Sequence, residues 1–203
     1  MHDFPLNIAI EPTNHCNFNC IMCAHSKLTR KKGIMDIRLY KKIIDEIAEV
    51  NPDTRIYLDF CGEPLTIKYK LYYMIDYAKK RGIANVNFNT NASLLDEEMA
   101  EMILDSDLSY LSVDCDGFSK EVYESIRRGG KRDKFFKNVE YLLQRKKQRQ
   151  QETPIVDVKI IEMPENQHEV AEVMQHWQSK GAWTAKRRQY SWAGNNTHIT
   201  LPE

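Results

Sequence analysis

An excess of charge of one sign is missing from this sequence. Lys plus Arg and Asp plus Glu each number 29, so the formal net charge is zero. A surface that follows duplex nucleic acid needs many unbalanced basic residues, so no nucleic-acid partner is expected. The basic runs at 30–32, 145–147 and 186–188 read as solvated faces or helix ends. Long apolar runs are missing as well. No stretch approaches the ~20 residues of a membrane span, and the first residues lack the basic and apolar regions of a secretory signal. Cysteine is scarce, with 5 in all and three of them clustered. That usage fits a reducing cytoplasm better than a disulfide framework. No segment repeats at a fixed period.

The 203 residues are 42% hydrophobic and 29% charged, which fits a single domain over 1–203 with an ample core. Apolar residues alternate at 6–10, 55–60, 86–90, 110–114, 155–161 and 183–190, which read as six strands. Between them, 3.6-residue periodicity predicts helices over 37–50, 69–80, 96–104, 120–128, 134–149 and 167–180. Asp36 and Asp96 stand where helix caps are needed, and Gly82 can end the second helix. Strands alternating with helices predict βαβ units, a parallel sheet and right-handed crossovers. Periodicity leaves open whether that α/β sheet is doubly wound or closes toward a barrel.

The loop after the first strand carries Cys16, Cys20 and Cys23 at C-x3-C-x2-C. Thiolates suit iron–sulfur clusters and zinc. Four would close a four-iron cluster. Three leave one iron without a protein ligand, and an open metal position is where chemistry happens. Zinc sites usually pair C-x2-C with a second ligand pair, and none is visible here. The spacing, with Asn17 after the first cysteine and Met22 before the third, resembles the radical S-adenosylmethionine (SAM) superfamily. The resemblance implies a six-stranded parallel partial TIM barrel, (β/α)6. It also implies a 4Fe-4S cluster on Cys16, Cys20 and Cys23, with SAM chelating the open iron.

Further stretches extend the resemblance. Gly62-Glu63-Pro64 follows the second strand, where the family has a Gly-Gly-Glu-Pro-like motif; here Cys61 replaces the first Gly. By that likeness Glu63 holds the SAM ammonium through charge-assisted bonds, with Gly62 and Pro64 shaping the turn. Gly62 would also let backbone approach a ligand. Asn89-Thr90-Asn91 ends the third strand, and Ser112 and Asp114 end the fourth. Small polar groups there can meet ribose hydroxyls or the SAM carboxylate, although Asn91 and Asp116 read equally well as turn formers. The run from Ser112 through Gly130 resembles the SPASM and Twitch groups, in which Ser112 and Arg127 would contact the SAM carboxylate; Arg128 is adjacent. Cys61 and Cys115 read as small buried hydrophobes, His15 and His25 as loop histidines, and Trp177, Trp183 and Trp192 as core or rim.

These likenesses imply a cytoplasmic enzyme that receives one electron from a flavodoxin- or ferredoxin-type reductant. SAM is cleaved to methionine and a 5′-deoxyadenosyl radical, which abstracts a substrate hydrogen atom. The chain starts a few residues before its first strand, which favours a small-molecule substrate such as a sugar or aminocyclitol, to be oxidised or epimerised, over a ribosomal peptide. A noncatalytic metal- or cluster-binding module is the rival from another class. A metal-free aldolase-like barrel is another, with Lys159 its only strand-end lysine. SPASM and Twitch proteins add cysteines after a Trp-x-Gly segment like 192–194, and no cysteine follows Cys115. A core without the auxiliary-cluster domain is therefore expected, with an exposed apolar face around Trp183, Tyr190 and Trp192.

Overall fold

The computed structural model describes residues 4–190. Six strands form one sheet in the order β1 (Asn7–Ala9), β2 (Arg55–Tyr57), β3 (Val86–Thr90), β4 (Tyr110–Asp114), β5 (Ile155–Glu162) and β6 (Trp183–Arg188). Every neighbouring pair is parallel. Helices α1 (Ile37–Val50), α2 (Tyr69–Lys80), α3 (Glu97–Leu104), α4 (Lys120–Ile126), α5 (Arg132–Gln148) and α6 (Val170–Ser179) join them. The order is sequential and β1 and β6 are its edges, which makes a partial barrel of the (β/α)6 kind.

Local chemistry fixes the helix starts. The Asp36 carboxylate accepts from the Arg38 N–H, and Asp96 accepts from Met99 N–H. Gly82 has φ +86°, the left-handed turn that ends α2.

Strand alternation divides the chemistry. Leu111 and Val113 of β4, Val156, Val158 and Ile160 of β5, and Phe88 of β3 pack outward into one apolar core. Tyr40 and Ile44 of α1, Leu71 and Ile75 of α2, Phe135 of α5 and Trp177 of α6 close it from outside. The opposite parity is largely polar: Asn87 and Asn89, then Tyr110, Ser112 and Asp114, then Asp157 and Lys159, with Ile155 and Ile161 at the ends of β5. Those side chains face the barrel lumen.

Cys115 lies in the outer core, as the sequence suggests. Trp177 is buried, whereas Trp183 is 72% and Tyr190 68% exposed. Trp192 and the 192–194 segment lie outside the described residues.

Candidate active site

The cysteine loop is pinned before it offers any sulfur. Buried Asn14 accepts from Gly33 N–H at 2.7 Å and donates to the Lys31 carbonyl at 3.0 Å, tying the loop to residues 31–33. The His25 ring bonds the Asn14 carbonyl at 2.9 Å, so this histidine has a structural place. On the far side Asn19 N–H donates to the Arg128 carbonyl at 2.8 Å and Ile21 N–H to the Ile126 carbonyl at 3.0 Å. The loop is thus clamped to the end of α4. Gly129 and Gly130 allow that contact: Gly129 has φ +96°, and a Cβ on Gly130 would stand 3.0 Å from the Phe18 ring.

Gly62 serves the same end. A Cβ there would meet the Thr13 carbonyl oxygen at 2.1 Å, and Glu63 N–H donates to the His15 carbonyl at 2.7 Å. The missing Cβ of Gly62 thus lets two loops approach closely, and Gly62 also lines the cavity described next. Pro64 is buried at the start of the short helix Pro64–Ile67, where its missing N–H costs nothing.

The loops enclose a cavity of about 330 Å³ at the C-terminal ends of the strands. Cys16, Cys20, Cys23, Gly62, Glu63, Asn89, Asp114 and Arg127 line it together. Cys61, Asp59 and Thr90 join them, so Cys61 is a half-buried wall residue and not the buried hydrophobe the sequence suggested. Ser112 and Pro64 do not line it. Arg128 is exposed and only its carbonyl serves the site.

Three thiols, none in a disulfide, fit an iron–sulfur group. Phe18 N–H reaches the Cys16 sulfur at 3.5 Å and His25 N–H the Cys23 sulfur at 3.4 Å, so backbone donors are aimed at where thiolate charge would sit. Burial raises the Cys16 and Cys20 thiols, Cys20 to about 11. Bound metal reverses that by taking the thiolate. Among the described residues no three His, Cys, Asp or Glu side chains converge on a single ion. A four-iron cluster does not ask them to, since each thiolate would hold a different iron.

Glu63 is buried beside the sulfurs. Its Oε1 accepts from Thr90 Oγ1 at 2.6 Å and Leu65 N–H at 3.1 Å, and its Oε2 from Asn91 N–H at 2.7 Å. Burial pushes its carboxyl up to about 7, against the pull of those donors. Asn91 also donates to Asn17 Oδ1 at 3.0 Å, joining the β3 end to the cysteine loop.

Arg127 is buried and paired. Its Nε donates to Asp116 Oδ2 at 2.6 Å, and Nη2 stands 3.5 Å from Asp114. Asp116, which the sequence left open between turn former and ligand contact, is fully buried, and its Oδ1 accepts from Ile161 N–H at 2.7 Å. Asp116 therefore positions Arg127. The only sequence signal was a carboxylate and an arginine within one βα unit, which spacing alone does not pair.

Comparison with known proteins follows from this geometry. The sequence model of the Radical SAM superfamily matches residues 10–176. The chain belongs to the radical SAM superfamily. Membership makes it an enzyme of that class, with a 4Fe-4S cluster and SAM as cofactors. It is 28% identical over 128 residues to the mycofactocin maturase MftC of Mycobacterium ulcerans, covering 63% of this chain and 34% of that one. It is 38% identical over 108 residues to a tungsten-containing aldehyde ferredoxin oxidoreductase cofactor-modifying protein of Pyrococcus furiosus, covering 52% and 30%. The chain thus spans about a third of the length of these curated relatives. The fold matches Streptococcus suis SuiB bound to precursor peptide SuiA, with TM-score 0.80, 13% identity, and 98% of this chain and 43% of that one covered. Maturases among the relatives agree with the SPASM/Twitch-type pattern at 112–130. No helix among the described residues is long and apolar enough to cross a membrane.

Proposed function

We propose that this radical SAM chain abstracts a hydrogen atom from a small molecule such as a sugar or aminocyclitol, leading to its oxidation or epimerisation. One observation supports the cluster- and SAM-binding part of this reading: three thiols, a buried carboxylate and a buried arginine line a single cavity at the strand ends. Cys16, Cys20 and Cys23 would hold the cluster. Glu63, pre-aimed by Thr90 and two backbone N–H groups, would take the SAM ammonium. Arg127, braced by Asp116, would meet the SAM carboxylate. Asn89 and Asp114 would meet ribose hydroxyls or the SAM carboxylate, with Gly62 and Pro64 holding the turn. When bound, the cluster and SAM supply one-electron cleavage and a carbon radical that takes the substrate hydrogen. The chain's own task is to orient the reactants and exclude water and oxygen. A flavodoxin- or ferredoxin-type protein would deliver the electron.

The second reading is modification of a ribosomal peptide. It is favoured by the maturase among the relatives and by the precursor peptide in the SuiB structure. Anaerobic reconstitution decides the core claim. The expected result is iron loading and reductant-dependent release of 5′-deoxyadenosine. Zinc binding with no SAM cleavage refutes it. Adding aminosugars or peptides separately and following substrate loss separates the two readings.

A further inference from the structure

The three basic runs of the sequence meet different surroundings in the fold. At the end of α5, Arg145 donates to Glu101 of α3 at 2.5 Å. On β6, Lys186 pairs with Glu162, while Arg187 and Arg188 line the cavity. The run at 30–32 stays on the surface. Lys31 and Lys32 are exposed and bond to no carboxylate among the described residues. Lys27 is exposed too. No Asp or Glu occurs between Glu11 and Asp36, and those two are already paired with Arg30 and Arg38. In a chain of zero net charge, this segment carries a local positive excess.

The same segment is anchored to the cysteine loop. Asn14 N–H donates to the Gly33 carbonyl at 3.3 Å, Thr13 Oγ1 donates to that oxygen at 3.2 Å, and Thr13 bridges to Ile34. From the Lys31 carbonyl, three hydrogen bonds lead inward. They run to Asn14 Nδ2 at 3.0 Å, from the Asn14 carbonyl to the His25 ring at 2.9 Å, and from His25 N–H to the Cys23 sulfur at 3.4 Å. A second path starts at Arg30, whose guanidinium grips both oxygens of Glu11. Glu11 Oε1 in turn accepts from Cys61 N–H at 3.1 Å, and Cys61 lines the cavity. Cys23 also caps the short helix Ala24–Lys27, so Lys27 ends the turn that Cys23 begins. The basic surface is thus a few hydrogen bonds from the sulfurs.

Charge and position say what this surface fits. An electron passes quickly only across short distances, so a protein that delivers one must dock close to these sulfurs. Exposed lysines speed the encounter with a partner of opposite charge more than they tighten the complex. That suits a carrier that must leave after each delivery, and such encounters bury little area. Ile34, 52% exposed next to this run, supplies apolar contact within the patch.

We propose that the exposed segment carrying Lys27, Lys31 and Lys32 is the docking face for an acidic one-electron carrier protein. This deepens the function proposed above and rests on it for the need of a carrier. One electron leaves the reduced carrier, which is oxidised, and enters the oxidised cluster, which is reduced; no atom is transferred.

The test follows the anaerobic rate of cluster reduction in the cluster-loaded full chain, with no substrate present. Two reductants are compared: a reduced flavodoxin of net negative charge, and photoreduced deazariboflavin, which is small and neutral. Lys31→Glu with Lys32→Glu should slow the flavodoxin reaction about tenfold or more at low salt. Iron content and the deazariboflavin rate should stay within about twofold of wild type. The gap should close toward ~1 M salt, where the Debye length falls to ~3 Å. Lys146→Glu with Lys147→Glu makes the same charge change at the C-terminal end of α5, which leads into the start of β5 at the other end of the barrel. That pair should leave the flavodoxin rate within about twofold. Carbodiimide coupling on the wild type needs no variant: flavodoxin carboxylates should join Lys31 or Lys32 in preference to Lys146 or Lys147. Coupling that avoids Lys31 and Lys32, or equal slowing by the two double variants, overturns the proposal. A cluster that deazariboflavin reduces, but that flavodoxin reduces alike in wild type and in Lys31→Glu with Lys32→Glu, refutes the docking face alone. A wild-type chain that holds no reducible cluster refutes the proposed function, and the docking face with it.

Discussion

Glu63 and Asp59 lie four residues apart and line the same cavity, yet the fold treats them differently. Glu63 has both oxygens occupied by donors, from Thr90, Leu65 and Asn91. Asp59 has one oxygen bonded to Asn89 and one bare. Burial raises both carboxyls, Glu63 to about 7 and Asp59 to about 6. The rim carboxylate is held in place by the chain before any ligand arrives. The floor carboxylate has half its bonding left open. Under the proposed function, a rim built this way would orient SAM, while the floor keeps bonding capacity that the chain itself does not use.

The largest effect tests the rim. Cys16→Ala, Cys20→Ala and Cys23→Ala should each abolish an iron content of about four per chain. Cys61→Ala lines the same cavity and should leave that content intact, as should Cys115→Ala in the outer core. Iron analysis after anaerobic reconstitution reads all five. Retained iron in any of the first three breaks the assignment of the cysteine loop.

Arg127 gives the next test. Arg127→Met leaves Asp116 buried at 0% exposure with no cation beside it. Removing one partner of a buried pair costs about 3–5 kcal/mol. Asp59→Asn removes a buried charge that has no cation in bonding contact, so stability at pH 7 should hold or rise. Urea midpoints compare the two. Equal losses would mean that rim and floor are built alike.

Much of this was legible in the sequence. Strands at 86–90 and 110–114 and the helix at 69–80 fall where alternation and helical spacing put them, because each carries a full apolar period. Short strands were overcalled: β2 ends at Tyr57, since its chain turns toward Gly62 and the Thr13 contact. The residues expected to hold the cofactors could be named because C-x3-C-x2-C and Gly-Glu-Pro are local, and the fold brings Cys16, Cys20, Cys23 and Glu63 to one cavity. Asp116 with Arg127, and Asp59 with Ser112 and Asp157, were not. The first pairing arises from how α4 folds back on the end of β4, and the second grouping from register between strands, which no short window of sequence contains.

Protonation offers a third, smaller contrast. The Glu63 carboxyl sits near 4.5 in the unfolded chain and is raised by burial to about 7 in the fold. Between those values the folded state binds the extra proton, so stability is greatest below the window and falls as pH rises through it, by on the order of 3 kcal/mol. Asp59 adds a similar slope between 3.8 and about 6. A bound ammonium keeps Glu63 ionised, so SAM affinity should climb over the same range and the slope of the complex should flatten. Urea midpoints from pH 5 to 8, with and without SAM, measure it. An unchanged slope in Glu63→Gln would show that the rim carboxyl is not its source.

The smallest effect is the sharpest comparison, because it sets one hydroxyl against another. Thr90 Oγ1 donates to Glu63 at 2.6 Å and accepts from Ala92 N–H at 3.0 Å. Thr90→Val keeps the shape, removes both bonds, and strands a buried N–H, at a cost of about 1–3 kcal/mol. Ser112 Oγ has no partner, so Ser112→Ala removes an unmet demand and should stabilise the protein by up to about 1 kcal/mol. A floor that gains stability when a polar group is deleted is holding that group for something other than folding. If Ser112→Ala instead destabilises the ligand-free protein as much as Thr90→Val does, the hydroxyl has a partner inside the fold, and the floor is as complete as the rim.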